Sequence, residues 1–169
     1  VLKVVNKPAL VGWAVKCCAQ YLLANLKAGD IDEVQINLLA ERMKRNYRDV
    51  MAEAASIGTI VHAYAERYFK GLKPAMPRNE FARNGVEAFL KWIKEHEVKP
   101  VEVEYRIYSR KHRYCGTGDI DARVDGKRVS LDYKTSSGIW PEYFLQNEAY
   151  MIAREEELGI QYDGGIVVR

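Results

Sequence analysis

Cysteine is scarce in this chain and poorly spaced for structural chemistry. Cys17, Cys18 and Cys115 are the whole supply. The count is odd, two are adjacent and none forms a Cys-x-x-Cys pair, which argues against a disulfide framework or a structural zinc site and fits a reducing compartment. Long apolar runs are also missing. No stretch reaches the roughly 18 residues of a membrane span and no signal peptide is visible, so a cytoplasmic protein without a membrane partner is expected. Nor is there a large excess of one charge: 26 Lys and Arg against 23 Asp and Glu leave +3. Net charge alone therefore does not announce a nucleic-acid binder. Internal repeats, low-complexity tracts and a second domain are not apparent. The 169 residues suffice for a single domain, 1–169, with a real core.

What is present is patterned. Basic residues cluster at Arg42, Lys44, Arg45 and Arg48 and again at Arg110, Lys111, His112 and Arg113. Such runs are solvated faces or phosphate contacts, and composition does not choose between them. Apolar residues at Leu10, Trp13, Ala14, Cys17, Tyr21 and Leu22 have helical spacing, with a stop at Gly29-Asp30. Asp32 can cap a second helix to about Ala54, and Ser56 and Gly58 read as a break or a cap before a third helix through Phe69. A fourth helix is expected over 80–97. After Pro100 the period changes to two: Val101, Val103, Tyr105 and Ile107 alternate with polar residues, as in a half-buried strand. Pro141 suits the first turn of a later helix that Gly159 follows, and Gly164-Gly165 leads into a last strand. The order predicts an α/β fold with a central mixed sheet flanked by helices and a helix-rich N-terminal part.

The segment 115–135 carries the chemistry. Cys115 to Val124 and Lys127 to Thr135 flank Asp125-Gly126, a strong two-residue hairpin signal. With that turn, Val124 pairs with Lys127, Asp119 falls opposite Asp132 and Thr117 opposite Lys134. Two carboxylates directly across a strand pair lie about 5 Å apart at Cβ and repel; a divalent cation between them removes the conflict. Lys134, two residues beyond Asp132, points to the same side. Two acids and a lysine around a cation can hydrolyse a phosphodiester: the carboxylates hold Mg²⁺ or Mn²⁺, and the lysine orients or helps deprotonate water, or offsets developing charge. Asp121 is the rival ligand, because a turn at Gly126-Lys127 would bring it opposite Asp132 instead. Glu104, on the polar face of the preceding strand, is a candidate auxiliary ligand for metal or water, whereas Glu102 reads as a solvated strand residue. His62 is a lone helical histidine with Glu66 one turn on, placed to pair with it. Gln146 and Tyr150 share a helix face.

Together these pieces resemble the RecB-type branch of the PD-(D/E)XK nuclease superfamily. The matching segments are GTIVH (58–62), VEVEY (101–105), CGTGDID (115–121), LDYKTS (131–136) and QNEAY (146–150). The resemblance implies a restriction-endonuclease-like core, and metal ligation by His62, Asp119, Asp132 and the main-chain carbonyl of Tyr133. It implies that Lys134 is the catalytic lysine, and that Gln146 and Tyr150 support the site and contact DNA. Related members with an iron–sulfur cluster use cysteines near the C-terminus; no cysteine follows Cys115, so no Fe–S cluster is expected. The helix-rich start and the size are closer to phage or bacterial recombination exonucleases. Those enzymes commonly act with a single-strand annealing protein, and some form rings around DNA. A metal-dependent DNA exonuclease of recombination, repair or phage replication, in a bacterial, archaeal or phage-infected cell, is the expectation. A nicking or structure-specific endonuclease and a catalytically silent DNA-binding homologue are the alternatives.

Overall fold

The computed structural model describes residues 8–26 and 33–169. The expected stop at Gly29-Asp30 and the cap at Asp32 lie outside the described residues. The chain divides into two compact units, one over Val5–Ser56 and one containing Ile57–Arg169. In the first, α1 (Pro8–Asn25) and the N-terminal part of α2 (Glu33–Phe69) meet through Asn46, whose Nδ2 donates to the Cys17 carbonyl at 3.5 Å. Val11, Val15, Leu23 and Val34 stay largely exposed in this unit. Among the described residues no helix is long and apolar enough to cross a membrane.

One sequence expectation fails in α2. Ser56 and Gly58 do not break it; the helix runs unbroken to Phe69. Gly58 is small for a packing reason: a Cβ there would sit 3.1 Å from Thr135 Oγ1. The helix interior tolerates glycine at a cost of about 1 kcal/mol. The real stop is Gly71, with φ of 73°.

The second unit holds the sheet. After α3 (Glu80–Glu95), N-capped by Asn79 Oδ1 accepting from Ala82 N at 3.0 Å, come β1 (Val98–Ser109), β2 (Tyr114–Val124) and β3 (Lys127–Tyr133). Helix α4 (Pro141–Leu158) then crosses over to β4 (Gly164–Val168). The order is β1-β2-β3-β4, with β1–β2 and β2–β3 antiparallel and β3–β4 parallel. The mixed sheet flanked by helices is therefore as the periodicities predict. Pro100 lies inside β1, opposite Ala122, rather than before the strand. That is allowed because β1 is an edge strand, where a missing N–H can face solvent.

The Asp125-Gly126 turn is observed, with φ of 50° and 83°, as a type I′ turn requires. Val124 pairs with Lys127 and Asp121 with Ser130. Ile120, Ala122, Val124, Val129, Leu131 and Tyr133 alternate onto the face covered by Val61, Tyr64 and Ala65 of α2 and Val86 and Phe89 of α3. Tyr150 and Ala153 of α4 pack with Tyr105 and Ile107 in a separate cluster.

Strand β1 does not keep a single alternating face. Val98 and Val103 pack into the α2–α3 cluster, while Tyr105 and Ile107 belong to the α4 cluster. Residues 103 and 105 of a regular strand would share a face. Between them Glu104 has φ of 53°, a left-handed conformation uncommon outside glycine, and the strand changes face there.

Candidate metal centre

Three elements converge where that change occurs. His62 comes from the C-terminal part of α2, Glu104 from the irregular point of β1, and Asp119 from β2 just before its last bonded pair with β3, Ile120–Leu131. One ligand atom from each lies within 4.8 Å of the others. His62 Nδ1 is 3.5 Å from Asp119 Oδ1. The other oxygen, Oδ2, accepts the Tyr133 N–H at 2.9 Å, so the side chain of Asp119 takes over the ladder where strand pairing ends. The Tyr133 ring meets His62 edge-on at 5.7 Å and Phe89 at 5.5 Å, which fixes the histidine against the core. Glu66 is not the partner of His62; it pairs with Lys70.

Asp132 and Lys134 stand beside this group as an ion pair. Lys134 Nζ is 2.8 Å from Asp132 Oδ1 and 2.7 Å from Oδ2. The lysine main chain is anchored too, its N–H donating to the Val168 carbonyl at 2.9 Å. A tyrosine missed by sequence reasoning, Tyr143 in the first turn of α4, lies with its ring 5.1 Å from Lys134 Nζ. Gln146 Nε2 donates to the Tyr150 hydroxyl at 2.7 Å, and the two face the same region.

The rival carboxylate is accounted for elsewhere. Asp121 is fully buried, opposite Ser130, and takes a two-pronged contact from Arg128: Nε to Oδ1 at 3.1 Å and Nη2 to Oδ2 at 2.6 Å. Glu102, read as solvated, pairs with Arg154.

The electrostatics follow from crowding. Burial, then repulsion from Asp119, pushes the Asp132 carboxyl up to about 6 despite the ammonium beside it. Glu104 is also raised, by partial burial and by the charges of Asp119 and Glu66. His62 is raised because its bond to Asp119 favours the imidazolium. Carboxylates crowded at this density are the state a divalent cation relieves. One imidazole nitrogen with carboxylate oxygens fits such a cation.

The glycines of CGTG (115–118) have a physical reason that hairpin logic did not supply. A Cβ on Gly118 would come within 2.3 Å of the Tyr105 ring, and one on Gly116 within 2.9 Å of Tyr150. Both tyrosines pack against bare backbone. Asn147, next to Gln146, was also missed. It is buried, donates to the carbonyls of Ser130 (3.0 Å) and Ile166 (3.3 Å), and accepts from the Ser130 hydroxyl. Its signal was present in the sequence: Asn147, Tyr150, Met151 and Arg154 form a helical stripe, and a polar residue in a buried stripe needs partners. The basic residues Arg110, Lys111, His112 and Arg113 are exposed at the turn between β1 and β2. Glu156 holds that turn by accepting from Ser109 Oγ (2.6 Å) and from the N–H groups of Arg110 (2.9 Å) and Lys111 (3.0 Å).

No protein-family model matches the chain, and no curated protein matches it.

Proposed function

We propose that this protein is a Mg²⁺- or Mn²⁺-dependent deoxyribonuclease of the RecB-like PD-(D/E)XK type, acting as an exonuclease. The observation that carries the reading is the convergence of His62, Glu104 and Asp119 within 4.8 Å, with the Asp132–Lys134 pair beside them. His62, Glu104, Asp119 and Asp132 would hold the cation, with the Tyr133 carbonyl as the further ligand the resemblance implies. When bound, such a cation polarises a phosphoryl oxygen and lowers the pKa of water. Lys134 then has two tasks. Its ammonium orients the attacking water, and it offsets charge building on the phosphate oxygens. Gln146 and Tyr150 line the α4 side, where a strand backbone would pass, and the exposed cations of 110–113 extend the phosphate track, which makes binding salt-dependent. The restriction-endonuclease-like core, a single-strand annealing partner and a homo-oligomer belong to the same proposal.

End-labelled linear DNA and covalently closed circular DNA, each incubated with Mg²⁺, test it. The linear strand is degraded and the circle survives. Lys134→Ala and Asp132→Ala lower the linear rate by at least about a hundredfold, with the fold intact by circular dichroism. Degradation of the circle would make the protein an endonuclease. Undiminished rates in both variants would sink the site.

A further inference from the structure

We propose that Tyr143 is a positioning residue, the face of its ring holding the Lys134 ammonium at the reacting phosphate while Asp132 serves the cation. The inference rests on the nuclease reading above and adds to it a residue that acts through the lysine.

Both partners are anchored from outside their contact. Lys134 leaves β3 with its N–H on the Val168 carbonyl at 2.9 Å. Tyr143 sits in the first turn of α4, which Pro141 opens, and its N–H donates to the Trp140 carbonyl at 3.0 Å. Tyr143, Asn147 and Tyr150 have helical spacing and share one face of α4. Asn147 bonds the Ser130 and Ile166 carbonyls, and Tyr150 packs against Gly116, which keeps the helix from rolling. The loop between lysine and helix is tied as well. Ser136 Oγ donates to the Gly138 carbonyl at 2.7 Å, and Arg169 Nε donates to the Ser136 carbonyl at 2.9 Å. Ring and ammonium meet between these two frames, with 5.1 Å from the ring centroid to Nζ.

Lysine needs such a guide because its charge sits on a flexible four-carbon stem, and a misplacement of about 1 Å at a reacting centre costs about a hundredfold in rate. Asp132 is the other neighbour, with Nζ 2.8 Å from Oδ1 and 2.7 Å from Oδ2. Under the nuclease reading that carboxylate also serves the cation, and a carboxylate whose charge is shared with a divalent ion attracts the ammonium less. The ring face stands outside this competition. Mg²⁺ takes oxygen ligands and gives up its waters reluctantly, whereas an aromatic face attracts an ammonium. That attraction strengthens away from water, and the Lys134 side chain is only 18% exposed. Tyr143 thus grips the lysine by a contact the metal does not claim.

The test changes the charge of the ring face and, in one variant, keeps its shape. Tyr143→Phe, Tyr143→Leu and Tyr143→pentafluorophenylalanine are made in the full chain and shown to fold by melting temperature. Cleavage of linear DNA at saturating Mg²⁺ gives kcat and KM, and calorimetry gives the affinity for Mn²⁺. Tyr143→Phe is expected to keep kcat within about twofold, while the leucine and pentafluorophenylalanine variants lose about tenfold, with KM and Mn²⁺ affinity unchanged in all three. The contact is read separately by magnetic resonance on isotope-labelled lysine. The Lys134 side-chain signal, assigned by its loss in Lys134→Arg, carries a ring-current shift in wild type and Tyr143→Phe and loses it in Tyr143→Leu. A wild-type kcat in Tyr143→Leu overturns the role. So does a wild-type kcat in Tyr143→pentafluorophenylalanine, since packing of the stem would then suffice, and that variant and Tyr143→Phe decide the matter should the leucine fail to fold. An equal loss in Tyr143→Phe overturns it too, by giving the work to the hydroxyl. Wild-type protein that cleaves no DNA with Mg²⁺ overturns the nuclease reading and this role with it. Wild-type protein that cleaves DNA with an unshifted Lys134 signal removes the role of Tyr143 alone.

Discussion

His62, Glu104 and Asp119 meet where β2 leaves β3 with Asp132 beside them, and the Asp119 charge acts on the other three. The consequence for pH has one sign. Asp132 is pushed up to about 6, Glu104 is raised and His62 is raised, so the folded, metal-free site keeps its protons to higher pH than the unfolded chain would. Metal binding must displace them. Affinity for Mn²⁺ is therefore expected to fall as pH drops through about 6, by up to about tenfold per unit for each proton released; calorimetry at pH 5, 6 and 8 reads it directly, and a flat profile would contradict the assignment. Gly118 gives a second prediction at this scale. With a Cβ placed 2.3 Å from the Tyr105 ring, Gly118→Ala should cost about 1–3 kcal/mol, seen as a lowered denaturant midpoint with an unchanged slope. The sequence made the hairpin legible through Asp125-Gly126, and with it the choice between Asp119 and Asp121 as the residue nearer Asp132. It could not show that Asp121 is consumed by Arg128, because both look like ordinary strand charges. The left-handed backbone at Glu104 was equally unreadable, since an alternating strand gives no warning that it will change face.

At the scale of elements, α4 decides how the site is assembled. It carries Tyr143 over Lys134, Tyr150 over Gly116, and Asn147 into both β3 and β4. Asn147→Ala removes these bonds from the buried Ser130 carbonyl and the partly buried Ile166 carbonyl. The expected cost is about 2–4 kcal/mol, measured by chemical denaturation; a loss under about 0.5 kcal/mol would mean that α4 is held by apolar contacts alone. The helix itself was legible from Pro141, which opens its first turn, and Gly159, which ends it with φ of 63°. Helix α2 was misread at Gly58 because glycine in sequence signals a break and a close approach alike. Only the position of Thr135, far away in the chain, tells them apart.

For the whole molecule, the mixed sheet follows from the order of periods, and its α2–α3 face from the alternation of Ile120, Ala122, Val129 and Leu131. The meeting of His62 with Asp119 was legible only through the family resemblance, since it depends on how α2 crosses the sheet and no local pattern encodes it. A cation held between α2, β1 and β2 ties those elements together, so saturating Mn²⁺ should stabilise the protein. At about a hundred times its dissociation constant the gain is about 2.7 kcal/mol. Asp119→Asn should lose that gain, while Lys134→Ala should keep it. The most direct test of the central claim is the rate of Mn²⁺-dependent cleavage of linear DNA by Lys134→Ala under conditions where its thermal stabilisation by Mn²⁺ matches wild type. The account predicts a metal-loaded protein that scarcely cuts; cleavage at the wild-type rate would contradict it.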